Sequence, residues 1–508
     1  MSRVRRTARL TMPVIAASLL VGGGLTALTL GQGTARAAAP AADAGRAGAA
    51  AKATDDFNGD GYGDLVVGAP GGTVSGQAQA GYVVVTYGAK DGLDPARKKV
   101  VSRSTSGVPG AAMAKESFGS TFTKGDLDHD GYADLVIGIG GRNTDAGSVI
   151  LWGSPSGLTS GTKIATYGRT PTAGDFDGDG TTDLALFAGM PYHGDDPVPQ
   201  QARLWKGPIA RTGTPAKTLD FMDKSQWDHD SEQRPDPTCA DRECENGPRS
   251  LSGPVVPKAV GDLNGDGYAD IAMNRYSGDG QWGSGILYGS PTGFTRGRTH
   301  GSSGSMAIGD INGDDYDDLV IGDADYQMDG DYNSRAYVSY GSADGLKETR
   351  QKLDQNMPGV PGAEEEGDLF GRSVAVGDVT GDGYADVAVG VVGEDVGTVA
   401  DAGSVVLLRG GADGVTGTGA QVFHQNTAGV PGVAEKNDSF GEATALLDVT
   451  GDGHADLTAS SVQENAKAGA VWSLRGTSTG LTATGSVAFG PKDVEAPNTA
   501  ALFGSALR

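Results

Sequence analysis

Short apolar runs such as Leu65-Val66-Val67, Leu135-Val136-Ile137 and Leu319-Val320-Ile321 recur along the chain, each followed by glycine and each preceded by an acidic loop. Runs this short, rich in β-branched residues and bounded by turn formers, read as buried β-strands rather than helices. A second apolar run follows each loop in phase, at 81–88, 147–153, 201–207, 283–289, 335–341, 403–410 and 469–476. Several of these end in a Gly-Leu or Gly-Phe turn, at 157–158, 293–294, 345–346 and 480–481. One repeat is therefore strand, acidic loop, strand, turn, strand, with room for a fourth strand. Three or four antiparallel strands cannot bury both faces alone, so the units must stack. Spacings of 70, 49, 87, 48, 68 and 70 residues between loops suit blades with variable outer connections better than a tight solenoid. The pattern predicts an all-β, seven-bladed β-propeller.

The loops begin at Asp56, Asp126, Asp175, Asp262, Asp310, Asp378 and Asp448. Position three is Asn58, Asp128, Asp177, Asn264, Asn312, Thr380 or Thr450, and position five is Asp60, Asp130, Asp179, Asp266, Asp314, Asp382 or Asp452. Position nine is Asp64, Asp134, Asp183, Asp270, Asp318, Asp386 or Asp456. Alternating side-chain oxygens around a glycine-permitted turn are what Ca²⁺ asks of a short peptide, and position seven (Tyr62, Tyr132, Thr181, Tyr268, Tyr316, Tyr384, His454) needs only a backbone carbonyl to join them. Up to seven Ca²⁺ ions are expected. An EF-hand would close with Glu at position twelve, but that position is apolar in all seven copies (Val67, Ile137, Leu186, Met273, Ile321, Val389, Ala459), so the Asp at position nine must close the loop. Position six is Asp315 in the fifth loop, and threonine holds position three of the last two. These three sites are expected to bind more weakly.

Phe118-Gly119, Phe370-Gly371, Phe440-Gly441 and Phe503-Gly504 precede loops or the chain end, and Gly68-Ala69-Pro70 follows the first loop. With these residues the chain resembles the FG-GAP repeats of the integrin alpha-chain propeller, over nearly all of 54–508, as a secreted bacterial FG-GAP protein would. The resemblance implies a calcium-bearing propeller used for adhesion or ligand binding. Since folds host many sites, it does not name the ligand.

Arg3, Arg5, Arg6 and Arg9, an apolar stretch over 12–30 and Ala35-Arg36-Ala37 have the order of a secretory signal peptide, residues 1–37, with a signal anchor as the alternative. Residues 38–53, mostly Ala and Gly, read as a disordered linker, and 54–508 as the propeller. No second long apolar stretch suggests a membrane span. The expected chain is secreted, with association at the cell surface as the alternative, and monomeric. The net charge of −24 is dominated by loop chemistry, since the ligand positions carry 23 carboxylates. An acidic balance of this kind excludes nucleic acid as a partner.

Cys239 and Cys244 lie in a long stretch, about 188–255, that interrupts the repeat as an insertion. A local disulfide is expected, with a metal site involving His193 and His229 as the alternative. No Gly-x-Ser-x-Gly, His-Glu-x-x-His or phosphate-binding glycine loop occurs, so no catalytic residue and no further cofactor are assigned. Glu364-Glu365-Glu366 and Glu435-Lys436-Asn437-Asp438 read as solvated turns. Two functions remain: a binding module for a protein or glycan, and a carbohydrate-active enzyme or lectin, since some polysaccharide lyases are propellers with similar calcium loops. Clustered Arg, Lys, Tyr or His around the axial channel would favour the second. Finally, Phe118, Phe370 and Phe440 stand eight residues before Asp126, Asp378 and Asp448, the length of one strand entering its loop, and Phe503 stands eight residues before a virtual position 511 that Asp56 would fill, so the C-terminal strand is expected to pair into the first blade.

Overall fold

Seven four-stranded antiparallel sheets follow one another along the chain in the computed structural model, which describes residues 55–140, 147–164, 168–187, 198–199, 202–220, 252–278, 280–297, 301–324 and 334–508. Blades two to seven occupy 122–164, 170–220, 255–296, 306–353, 370–423 and 444–489, each with its first strand innermost. Blade one takes Leu65–Ala69, Tyr82–Thr86 and Lys98–Val101 from the start of the described chain and Ala506–Leu507 from its end, with Val67 opposite Leu507 and Gly68 opposite Ala506.

The second strand of most blades is buried along its whole length, as in Leu65–Ala69, Asp134–Ile139 and Asp386–Val391. Both its faces are covered by neighbouring blades, so the sequence reads as a continuous apolar run rather than an alternating one. Alternate residues still part company. Leu65, Val67 and Ala69 pack toward blade seven while Val66 packs toward blade two. The buried apolar residues form seven clusters, each drawn from two consecutive blades, and one of them joins Val449, Val471 and Phe489 of the last blade to Leu65, Tyr82 and Val84 of the first.

The Phe-Gly pairs do not begin the inner strands of blades two and seven, contrary to the eight-residue register read from the sequence: those strands start at Phe122 and Thr444. Each phenylalanine is instead a buried plug against the preceding blade. Phe118, Phe440 and Phe503 donate their N–H groups to the carbonyls of Ala80, Ala402 and Ala468. A Cβ on Gly81 would meet Phe118 O at 2.2 Å, and Gly81 sits at φ +79, so this close approach requires glycine there.

The interruption read over 188–255 is only partly an insertion, because Ala202–Lys206 and Lys217–Asp220 are the outer strands of blade three and Val255 opens blade four. Cys239, Cys244, His193 and His229 lie outside the described residues, as do 1–37 and 38–53. Among the described residues no helix is long and apolar enough to cross a membrane. The inner strands of all seven blades line an axial cavity of about 880 Å³.

Candidate metal centre

All seven loops have one frame. The position-one carboxylate accepts the N–H of position five on Oδ1 at 3.0–3.2 Å and that of position six on Oδ2 at 2.8–3.1 Å. Position five in turn accepts the N–H of position seven. The position-nine aspartate is buried in every copy. Its Oδ2 takes the N–H of position two, and its Oδ1 takes the N–H of a glycine at the end of the third strand, Gly88, Gly153, Gly207, Gly289, Gly341, Gly410 or Gly476. Position six needs a positive φ, and Asp315 adopts φ +67 where the other loops use glycine. The fifth loop therefore keeps the frame, because an aspartate tolerates this conformation better than most residues.

These contacts occupy only part of each carboxylate's acceptor capacity. The acids crowd together: oxygens of Asp126, Asp128 and Asp130 lie within 4.8 Å of one another, as do those of Asp175, Asp177 and Asp183. Burial, reinforced by the neighbouring carboxylates and opposed by the backbone N–H groups, pushes Asp134 up to about 8 and Asp64, Asp183, Asp270 and Asp318 to about 7. The same causes bring Asp386 and Asp456 to about 6. Asp128 Oδ1, Asp177 Oδ1 and Thr380 Oγ1 are buried without partners. Hard oxygen donors, converging anions and orphaned acceptors fit a divalent cation of the Ca²⁺ type. The protein's own cations meet part of the demand, through Arg211 on Asp128 and Asp130, and Lys206 on Asp177. Thr450 differs from Thr380 in that its hydroxyl lies 3.2 Å from Asp456 Oδ2.

Position seven has a role that its spacing did not reveal. Its ring covers position four of the preceding loop: Tyr132 on Gly59, Tyr268 on Gly178, Tyr316 on Gly265, Tyr384 on Gly313, His454 on Gly381 and Tyr62 on Gly451. A Cβ on Gly59 would stand 2.5 Å from Tyr132 Cε1. Between loops two and three the sizes are exchanged, with His129 at position four and Thr181 at position seven. At the other six junctions a position-eight N–H (Gly63, Ala133, Ala269, Asp317, Ala385, Ala455) also donates to the position-one carbonyl of the neighbouring loop. A ring on a glycine of another blade's loop is a pairing that no local pattern reports.

A second polar cluster was also missed. Gln355 donates to Glu394 at 2.7 Å and Gln425 to Glu464 at 2.9 Å, beside the buried Asp368 and Asp438. Burial first, then the facing aspartate, raises Glu394 and Glu464 to about 7. Blade one solves the equivalent position with an ion pair, Arg103 to Glu116. Asp438 is thus no part of a solvated turn, although Glu364, Glu365, Glu366 and Glu435 are exposed. His424 is half-buried, which lowers its basicity, and its Nδ1 has no partner.

The FG-GAP repeat family matches residues 47–86, 118–152, 167–199, 370–408 and 440–474. The chain is an integrin-alpha-like FG-GAP propeller. In this FG-GAP propeller, blades four and five fall outside the match, and neither has a Phe-Gly pair before its loop. Over 113 residues it is 38% identical to phosphatidylinositol-glycan-specific phospholipase D of Rattus norvegicus, covering 21% of this chain and 13% of that one. Over 101 residues it is 35% identical to integrin alpha-5 of Xenopus laevis, covering 20% and 9%. The aligned part thus spans a small fraction of either relative. Among solved structures, AofleA from Arthrobotrys oligospora (9% identity, 73% of this chain, 88% of that one, TM-score 0.35) is similar to the FG-GAP propeller. So is the rhamnogalacturonan lyase YesW (13% identity, 80% and 82%, TM-score 0.32), and at these scores neither bears on function.

Proposed function

We propose that this chain is an extracellular, calcium-stabilised propeller that serves as a binding module for a protein or glycan. The observation that carries the calcium reading is the frame repeated in all seven loops, whose buried position-nine acids are pushed up to about 6–8 by burial and by neighbouring carboxylates. Such a cluster is costly to ionise unless a cation joins it. The ions would be held by positions one, three, five and nine with the position-seven carbonyl, and would supply charge neutralisation and loop rigidity. The recognition surface is the face opposite the loops. There blade four extends a long hairpin, Asp270–Gly278 with Gln281–Ser290, bearing Tyr276 opposite Trp282 with ring centroids 5.4 Å apart. Trp282 is among the few large apolar residues left exposed. An exposed tryptophan held against the buried Tyr276 ring near a hairpin tip suits protein or sugar contacts. Glycan and protein arrays probed with the full chain in calcium and in EDTA test this reading, which expects binders in calcium that disappear in EDTA.

A lectin or carbohydrate-active enzyme on the same scaffold is the second reading. It is favoured by Lys124, Lys258, Arg372 and Arg508 on the wall of the axial cavity. Turnover of an array hit, followed by release of reducing or unsaturated ends, would separate enzyme from lectin.

A further inference from the structure

The axial cavity lacks the acidic excess of the rest of the molecule: its described lining carries four basic and three acidic side chains. The chain carries 64 acidic and 40 basic residues, so an average wall would be acidic. Yet the described lining brings together Lys124, Lys258, Arg372 and Arg508 from four blades. Two of these have anionic partners: Lys124 meets Asp55 at 2.9 Å, and Arg372 meets Glu442 at 2.8 Å. Asp175, the remaining acid on the wall, spends its carboxylate on the N–H groups of Gly178, Asp179 and Gly180 in the third loop. Lys258 and Arg508 have no carboxylate within ion-pair distance among the described residues, and they are neighbours, since Arg508 Nη2 donates to the Lys258 carbonyl at 2.7 Å. The Lys258 ammonium is disfavoured by its burial and then by the charges of Arg508 and Arg372, with no acid opposing them. Thr170 also lines the cavity, and its buried Oγ1 lacks a partner.

We infer that the ligand of this binding module extends from the face opposite the loops into the axial channel, and that it is an acidic oligosaccharide whose anionic group sits between Lys258 and Arg508. An anion there would supply the charge that the wall lacks. A cavity of about 880 Å³ is in the range of small-ligand sites and has room for a few sugar rings. Serine and threonine on or beside the inner strands, Thr170, Thr172 and Ser305 among them, stand among apolar groups such as Phe122 and Met306, a mixture that suits the hydroxyls and C–H faces of sugar rings. The channel mouth includes Asn274, two residues before Tyr276 on the long hairpin, so a chain leaving the channel would pass the Tyr276–Trp282 pair. A nucleic-acid strand is disfavoured as occupant because the remainder of the surface would repel it.

The site rests on the binding-module reading, and titration calorimetry on the full chain in calcium-containing buffer tests the two separately. The probes are an oligogalacturonate, a heparin-derived oligosaccharide and neutral maltohexaose. The carboxylated or the sulfated probe should bind, and which one does so identifies the anionic group, while maltohexaose should not. Lys258→Gln should weaken the bound probe by about tenfold or more, and Lys258→Arg by less than about threefold. Should Lys258→Gln fail to fold, raising salt from about 50 to 300 mM with the unmodified chain must weaken the same probe. Absence of binding by both acidic probes, equal binding of maltohexaose, or affinities indifferent to Lys258→Gln and to salt would each overturn the channel site. An array ligand whose affinity ignores Lys258→Gln would do so while leaving the binding module standing. An array without any binder would remove the module itself.

Discussion

Six junctions between neighbouring loops are built alike, with an aromatic or histidine ring lying on a glycine and a backbone bond beside it, whereas between loops two and three position four is His129 and position seven is Thr181. The carboxylate frame inside loops two and three is nevertheless the same as in the other five. The difference teaches that each carboxylate frame is local, assembled by nine residues and one strand-end glycine, and does not depend on the ring-on-glycine contact between loops. Chemistry and ring assembly are separable, and the comparison can be broken on either side.

The largest effect should come from the frame. Asp134→Ala would strand the buried N–H groups of Leu127 and Gly153, and should cost about 3–5 kcal/mol in denaturant unfolding in calcium. A loss under about 1 kcal/mol would mean that the frame is not structural. Close behind is the junction that joins the chain's two ends. Deleting 503–508 removes the buried Phe503 and Leu507 and the strand paired to Leu65–Ala69, and should cost roughly 3 kcal/mol or more. Removing 38–50 should leave the melting temperature unchanged. If the two truncations melt alike, the terminal strand does not secure blade one.

The pH dependence has a definite sign. In the metal-free protein the position-nine acids have folded values raised to about 6–8, above the ordinary aspartate value of 3.8. Folding therefore favours the protonated form. Below pH 4 these groups cost nothing, and stability falls as pH rises from about 4 until the folded values of 6–8 are passed. EDTA-treated protein should unfold at lower temperature at pH 8 than at pH 5, and calcium affinity should rise over the same interval. Calorimetric scans showing the reverse order would contradict the assignment. The smallest effects belong to the junctions. Gly59→Ala places a methyl group against Tyr132 at φ +73 and should cost about 1–2 kcal/mol. Adding Tyr132→Thr, which copies the exchange between loops two and three, should recover part of it in a double-mutant cycle. Additive losses would show that ring and glycine are not matched.

The sequence made the loops and second strands legible because both are short, local and phased: position nine is buried wherever the spacing put it, and the apolar runs fall in fully covered strands. What lay hidden was non-local. Tyr132 meets Gly59 across two loops, and Arg508 meets Lys258 from 250 residues away in sequence. Asp438 looked solvated within its charged run, but Gln425 and Glu464, from flanking turns, enclose it. Phe118 and Phe440 were placed on strands because their distance to the loop equals a strand's length, yet each is held by the blade before it.

The central claim is that the loops are cation sites that hold the ring together, and thermal melting in about 1 mM Ca²⁺ against excess EDTA at pH 7.5 tests it most directly. With site constants of about 0.1 mM, each ion would stabilise by roughly 1.4 kcal/mol, and seven independent sites by up to about 10 kcal/mol. That rivals the whole stability of an ordinary domain. The account predicts a fall of many degrees in EDTA, restored by calcium addition. Superimposable curves would contradict it.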